Sequence, residues 1–177
     1  MANGTSYLRA LGIGLVAGLR SMTAPAAVSW AANSGRLDLR NSPLAFLGTS
    51  RSAGLMPKLA LGEIVNDKAP FVPSRVKPAS LLWRMISGGT CGAAVSMPYG
   101  GDRRAGAALG AAGALVGSLL GYAWRTQVRR ELHLPDFPAA LLEDAVAVGT
   151  ALAVVSSLID LTPHDAWADE DNPAWLP

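Results

Sequence analysis

The sequence predicts an all-α protein: an integral membrane helical bundle of about five helices, some short or broken. Three observations carry this. From Ala105 to Trp124 no side chain is charged at pH 7, while Arg103 and Arg104 stand just before the run and Arg125 just after it. At about 1.5 Å per residue, such a run approaches the roughly 30 Å of a bilayer's hydrocarbon core. Two more charge-free stretches, Met85–Gly101 and Ala145–Ile159, repeat the pattern. Finally, Gly106, Gly110, Gly113, Gly117 and Gly121 recur every three or four residues, on one helical face. Each would weaken a soluble helix by about 1 kcal/mol relative to alanine. In lipid the same stripe lets another helix approach closely.

Totals alone would not decide this. With 177 residues, half of them hydrophobic and 16% charged, the chain could also be an alanine-rich soluble protein, so the spacing of charges is what counts. One transmembrane domain is expected over 1–161. An acidic soluble tail, 162–177, follows with Asp165, Asp169, Glu170 and Asp171. Net charge is +2 and the basic residues scatter near segment ends, which suits topology signals and not a nucleic-acid face. Cys91 is the single cysteine, and His133 and His164 are far apart outside the apolar runs, so no metal site or cofactor is expected. Phosphate-binding glycine loops, nucleophile elbows and metalloprotease signatures are absent, which gives enzymatic activity no support.

Taken in order, the first helix is expected from Tyr7 to Ala32, ending at Asn33-Ser34-Gly35. Its apolar Ala10–Leu19 run and Ala24-Pro25-Ala26 imitate a cleavable leader. Arg20 and Pro25 in the cleavage region favour retention as a membrane helix. A polar connection, Arg36–Ser50, leads to a second helix over Ser52–Asn66, short for a crossing and therefore tilted, re-entrant or continued into its loop. Its Pro57 sits early enough to be tolerated. The connection from Asp67 to Pro78 carries Pro70, Pro73 and Pro78 and reads as a stiff loop.

The third helix is expected over Ala79–Met97, stopping at Pro98-Tyr99-Gly100-Gly101. The glycine-striped fourth extends through Thr126–Glu131, and Pro135 and Pro138 separate it from a fifth over Ala139–Leu161. Trp30, Trp83, Trp124 and Tyr99 near helix ends suit interfacial anchoring. Five crossings put the two ends of the chain on opposite sides. A small excess of lysine and arginine favours a cytoplasmic N-terminus and an external tail.

Ionisable residues interrupt these helices: Arg20 in the first, Glu63 and Asp67 near the end of the second, Arg84 in the third, Glu143 and Asp144 in the fifth. A charge at the bilayer centre costs at least about 2.5 kcal/mol, so such residues usually face the interior and pair. With Lys68 as a further cation, these seven are the candidate substrate or ion pathway. Glu63 and Asp67 are four apart, on one face. Neighbouring carboxylates repel, which can build a proton-coupled or cation-binding site, or a fixed bridge once Arg20 or Arg84 neutralises them. Glu143 and Asp144 point about 100° apart on a helix. They serve different neighbours, or act as first-turn acids favoured by the helix dipole. Ser87-Gly88-Gly89-Thr90-Cys91-Gly92 is a small-residue stretch for packing or an unwound, solute-contacting turn.

The segments Gly18-Leu19-Arg20-Ser21-Met22-Thr23-Ala24-Pro25-Ala26, Gly62-Glu63 with Asp67-Lys68-x-Pro70-x-x-Pro73-Ser74-Arg75, Gly121-Tyr122 and Glu143-Asp144-Ala145 together resemble a family of small bacterial membrane proteins. That family is defined only as a domain of unknown function. The resemblance covers nearly the whole chain and implies a multi-pass protein of the bacterial inner membrane; it implies no activity. The leading expectation is a transporter or channel-like permease for a small solute or ion. The alternative is a non-catalytic scaffold or accessory subunit whose buried charges only lock helices together. A lipid-modifying enzyme would need an accessible Asp67-Lys68 loop. Membrane lipid is the expected partner, and the small-residue faces leave room for a homo-oligomer.

Overall fold

The computed structural model describes residues 2–40, 42–66, 78–131 and 136–159, and no strand occurs among them. Six helices follow in order: α1 (Ala2–Leu19), α2 (Thr23–Asn33), α3 (Ser50–Asn66), α4 (Pro78–Ser96), α5 (Arg103–Glu131) and α6 (Asp136–Ile159). Single 3₁₀ turns lie at Ala45–Gly48 and Met97–Tyr99. Asp67, Lys68 and the rest of the proline-rich loop, together with the acidic tail, fall outside the described residues.

The first expected helix is in fact two. α1 stops at Leu19, and Arg20, Ser21 and Met22 form a turn before α2 begins. Pro25 supplies the physical reason. It has no N–H to give the Ser21 carbonyl four residues back, and its ring collides with that carbonyl in a continuous helix. The Ser21 carbonyl instead accepts a 2.6 Å bond from the Ser87 hydroxyl of α4.

The break reverses the chain. α1 runs parallel to α5, since Gly14 abuts Gly110 and Gly18 abuts Ala114 and Gly117. It is antiparallel to α6: Arg9 binds Ser157, Gly12 faces Val154, and Arg20 pairs with Asp144. From the turn, α2 goes back toward the end where α1 began. Its Val28 and Ala31 share a core with Val95 of α4 and Val155 and Leu158 of α6, and Leu37, Leu39 and Leu47 close it. α3 then packs along α2 and returns Glu63 to the turn. α1 and α2 are thus a helical hairpin whose tip lies inside the bundle. As a consequence, the start of α1 and the end of α6 lie at the same end of the molecule, not at opposite ends as five crossings would require.

α1, α4 and α5 make the tightest contacts, and the α5 glycines allow them. Gly106 and Gly110 meet Gly88, Gly92 and Ser96 of α4, while Gly113 and Gly117 meet Leu11, Gly14 and Leu15 of α1. A Cβ at any of these four glycines would fall inside a neighbouring helix. Gly121 is also buried. The stripe is therefore occupied by the chain's own helices and is not free for a second copy.

Both reversals at the far end of the bundle use the same cap. Gly35 after α2 and Gly100 after the 3₁₀ turn adopt φ of 75° and 71°. Each lets the next amide reach back, Arg36 to the Ala31 carbonyl and Gly101 to that of Ser96.

α5 over Arg103–Val128 and α6 over Ala140–Leu158 are long and apolar enough to cross a membrane. The outside of the bundle is apolar along Leu82, Trp83 and Ile86 of α4, Leu119 and Leu120 of α5, and Leu141, Leu142 and Leu152 of α6. Arg9, Arg20, Arg84, Glu143 and Asp144 are buried instead. From Arg103 to Trp124, α5 covers about 32 Å at 1.5 Å per residue, matching a hydrocarbon core flanked by anchors.

Candidate functional site

A broken helix exposes carbonyls at one end and amides at the other, and none has water to fall back on inside an apolar bundle. Here each set is met by a side chain of the favourable charge. Arg84 Nη1 donates to the carbonyls of Gly18 (2.6 Å) and Leu19 (3.0 Å), the negative end of α1. Glu63 serves the positive end of α2. Its Oε1 accepts from the Ser21 amide and hydroxyl, both at 2.9 Å, and its Oε2 accepts from the Met22 amide at 2.8 Å. α2 has no side-chain cap of its own, so a carboxylate from another helix supplies one. Arg84 Nη2 and Glu63 Oε1 stand 3.7 Å apart, a loose pair across the break. The Ser118 hydroxyl of α5 lies 3.2 Å from the Gly18 carbonyl and 2.8 Å from its own Ala114 carbonyl.

Arg20, at the tip, is only 1% exposed and forms an ion pair with Asp144 of α6. Next to Asp144, Glu143 accepts a 2.8 Å bond from Arg125 Nε of α5. The 100° divergence of the adjacent acids therefore directs them to different helices. α6 begins at Asp136, which places both beyond its first turn and removes the reading of them as dipole-stabilising terminal acids. Three arginines face three carboxylates in these pairs.

Of the seven candidates, the structure brings Arg20, Glu63, Arg84, Glu143 and Asp144 around the tip; Asp67 and Lys68 lie outside the described residues. Arg84, rather than Arg20, is the arginine beside Glu63. Sequence reasoning missed the contacts of two arginines, one at the tip and one at the opposite end of α1, by treating them as topology charges. Arg125 holds Glu143, and Arg9 donates to the Ser157 hydroxyl (3.0 Å) and carbonyl (2.6 Å) near the end of α6. Their signal was weak: each is a single arginine at the rim of an apolar run, and partners 18 and 148 residues away do not show in a local pattern. Two hydroxyls are left over. Thr23 Oγ1 and Ser29 Oγ of α2 are buried and have no hydrogen-bond partner among the described residues. Those residues also contain no cluster of three or more metal-ligating side chains.

The arrangement can hold a reversing helix at depth, and it can present charge to a guest that competes for it. No match is found among curated proteins or among solved structures. Residues 8–158 match the model of DUF4126, described as a domain of unknown function, and the chain belongs to that family.

Proposed function

We propose that the protein is a multi-pass permease of the bacterial inner membrane for a small solute or ion, with the α1–α2 tip as its working part. The observation that carries this is the break itself: two helix ends and three charge pairs converge within an apolar bundle. Discontinuous helices aimed at a polar centre are how many transporters build solute sites, and ionisable residues at membrane depth commonly mark pathways. The buried hydroxyls of Thr23 and Ser29, which have no partner among the described residues, add polar capacity. Glu63, Arg84, Arg20 and Asp144 would exchange partners as a guest enters.

A second reading has its own support. Glu63 already accepts three hydrogen bonds, so the charges can act purely as internal caps in a scaffold or accessory subunit.

Flux separates the two readings. Proteoliposomes with an entrapped pH-sensitive dye, driven by a potassium diffusion potential, are expected to equilibrate protons faster than protein-free vesicles. Repeats with chloride, sodium and ammonium gradients extend the probe set. Glu63→Gln is expected to cut the responding flux at least tenfold while the protein still elutes as a folded monodisperse species. A flux indistinguishable from empty vesicles for every probe, with Glu63→Gln lowering only thermal stability, would establish the scaffold reading.

A further inference from the structure

Away from the tip, an open groove of about 580 Å³ runs between α4 and α5. Gly89 and Ala93 of α4 and Ala107, Ala108 and Ala111 of α5 line it, with Leu44 on one flank. These side chains are small and apolar, so they form an open apolar floor, with Met85 and Ile86 of α4 as larger apolar walls. Thr90 also lines it, but its hydroxyl is spent on the Ile86 carbonyl at 2.8 Å. Charge occurs at one end only, where Arg103 and Arg104 open α5.

Both arginines are exposed and neither forms an ion pair among the described residues. Their position is costly. Cations in a first turn stand against the positive end of the helix dipole, and α5 has no acid in that turn. Asp102 bonds the Arg104 amide (3.0 Å) just ahead of it. Two adjacent cations in a position that local rules disfavour, above an apolar trough, await an anion carrying a hydrocarbon chain.

We propose that this groove binds one anionic glycerophospholipid, its phosphate at Arg103 and Arg104 and an acyl chain along the small-residue floor. From Arg103 to Ala111 the floor is about 12 Å long, the reach of the upper half of an acyl chain. Its volume falls within the roughly 300–1,000 Å³ usual for ligand sites. The inference rests on membrane placement and not on permeation.

The test begins with an alkaline carbonate wash of membranes containing the full chain. Release into the supernatant would refute membrane placement itself. Protein that resists the wash is purified in detergent, offered equimolar phosphatidylglycerol and phosphatidylcholine with matched chains, and examined by native mass spectrometry. One phosphatidylglycerol per chain is expected, retained at least fivefold over phosphatidylcholine. Arg103→Gln with Arg104→Gln is expected to abolish the headgroup preference. Ala108→Leu, which fills the trough and leaves the arginines alone, is expected to lower retention of both lipids; thermal midpoints near wild type show that both variants fold. Equal retention of the two lipids by the wild type would overturn the proposal. So would complete displacement by 10 mM inorganic phosphate alone, or a lipid-free dimer that Ala108→Leu dissociates.

Discussion

Replacing Arg20 by methionine is expected to be among the most damaging single changes in the chain, and replacing Asp144 at the same time is expected to repair most of the damage. Arg20 and Asp144 are both buried and pair with one another between the tip and α6. Removing one member takes this ion pair from a charge that stays buried, and breaking a buried pair in this way typically costs about 3–5 kcal/mol. Replacing both by apolar residues of similar size is often neutral, because the desolvation cost of two ions disappears with their attraction. Arg20→Met and Asp144→Leu should therefore each lower the thermal midpoint in detergent by roughly 10 °C, at about 2–4 °C per kcal/mol for a chain of this size. The double variant should return to within a few degrees of wild type. Additive losses would show that the two side chains are not energetically coupled.

The same double variant also bears on function. A scaffold needs only the tip's position, so an apolar pair at Arg20 and Asp144 should leave it competent. A permease needs the charges, so a stable double variant should be flux-dead. Stability and flux thus part company more cleanly at this pair than at Glu63, which also caps α2.

The bundle was largely legible because membrane helices announce themselves by what they lack. Apolar length and proline or glycine stops locate α3 to α6 within a few residues. Charges within apolar helices turn inward, and Arg20, Arg84, Glu143 and Asp144 are buried as that rule requires. What failed was the first helix. Hydropathy runs unbroken from Ala10 to Ala32 but for Arg20, and hydropathy does not see hydrogen bonds. Pro25 stands in the sequence where it also argues against cleavage, but the bond it denies the Ser21 carbonyl does not show in hydropathy. Once that bond is missing, Arg84, Glu63 and Ser87 all have work to do, and the reversal follows. The identities of partners were illegible for a different reason. Which arginine meets which acid depends on how helices cross, and that is set by glycine contacts between segments about a hundred residues apart, such as Gly14 with Gly110.

Those contacts lead to the second large effect. Gly110→Ala is expected to cost about 3 kcal/mol or more, the upper end of core overpacking, and Gly110→Val is expected to prevent folding. A Cβ there would enter the Gly88 carbonyl and press on Gly92 Cα, both backbone, so no rotamer change relieves it. On the other side Gly14 of α1 rests on the Gly110 carbonyl, and moving α5 away from α4 drives it into α1. Gly149 is the fair comparison. It lies on the exposed face of α6 with nothing near its missing Cβ, so Gly149→Ala should gain up to about 1 kcal/mol from helix propensity. Thermal midpoints of the two alanine variants should move in opposite directions; a matching small shift would mean that α5 does not sit as closely as Gly110 requires. The consequence reaches the tip. Gly18 abuts α5 at Ala114, Gly117 and Ser118, and its carbonyl is the one that Arg84 holds. A wider helix separation at Gly110 would lift that carbonyl away from Ser118 and loosen the Arg84 contact. A partly folded Gly110→Ala protein should therefore lose the function of the tip before it loses its helices, read as flux or partner binding falling while the far-ultraviolet circular dichroism is retained.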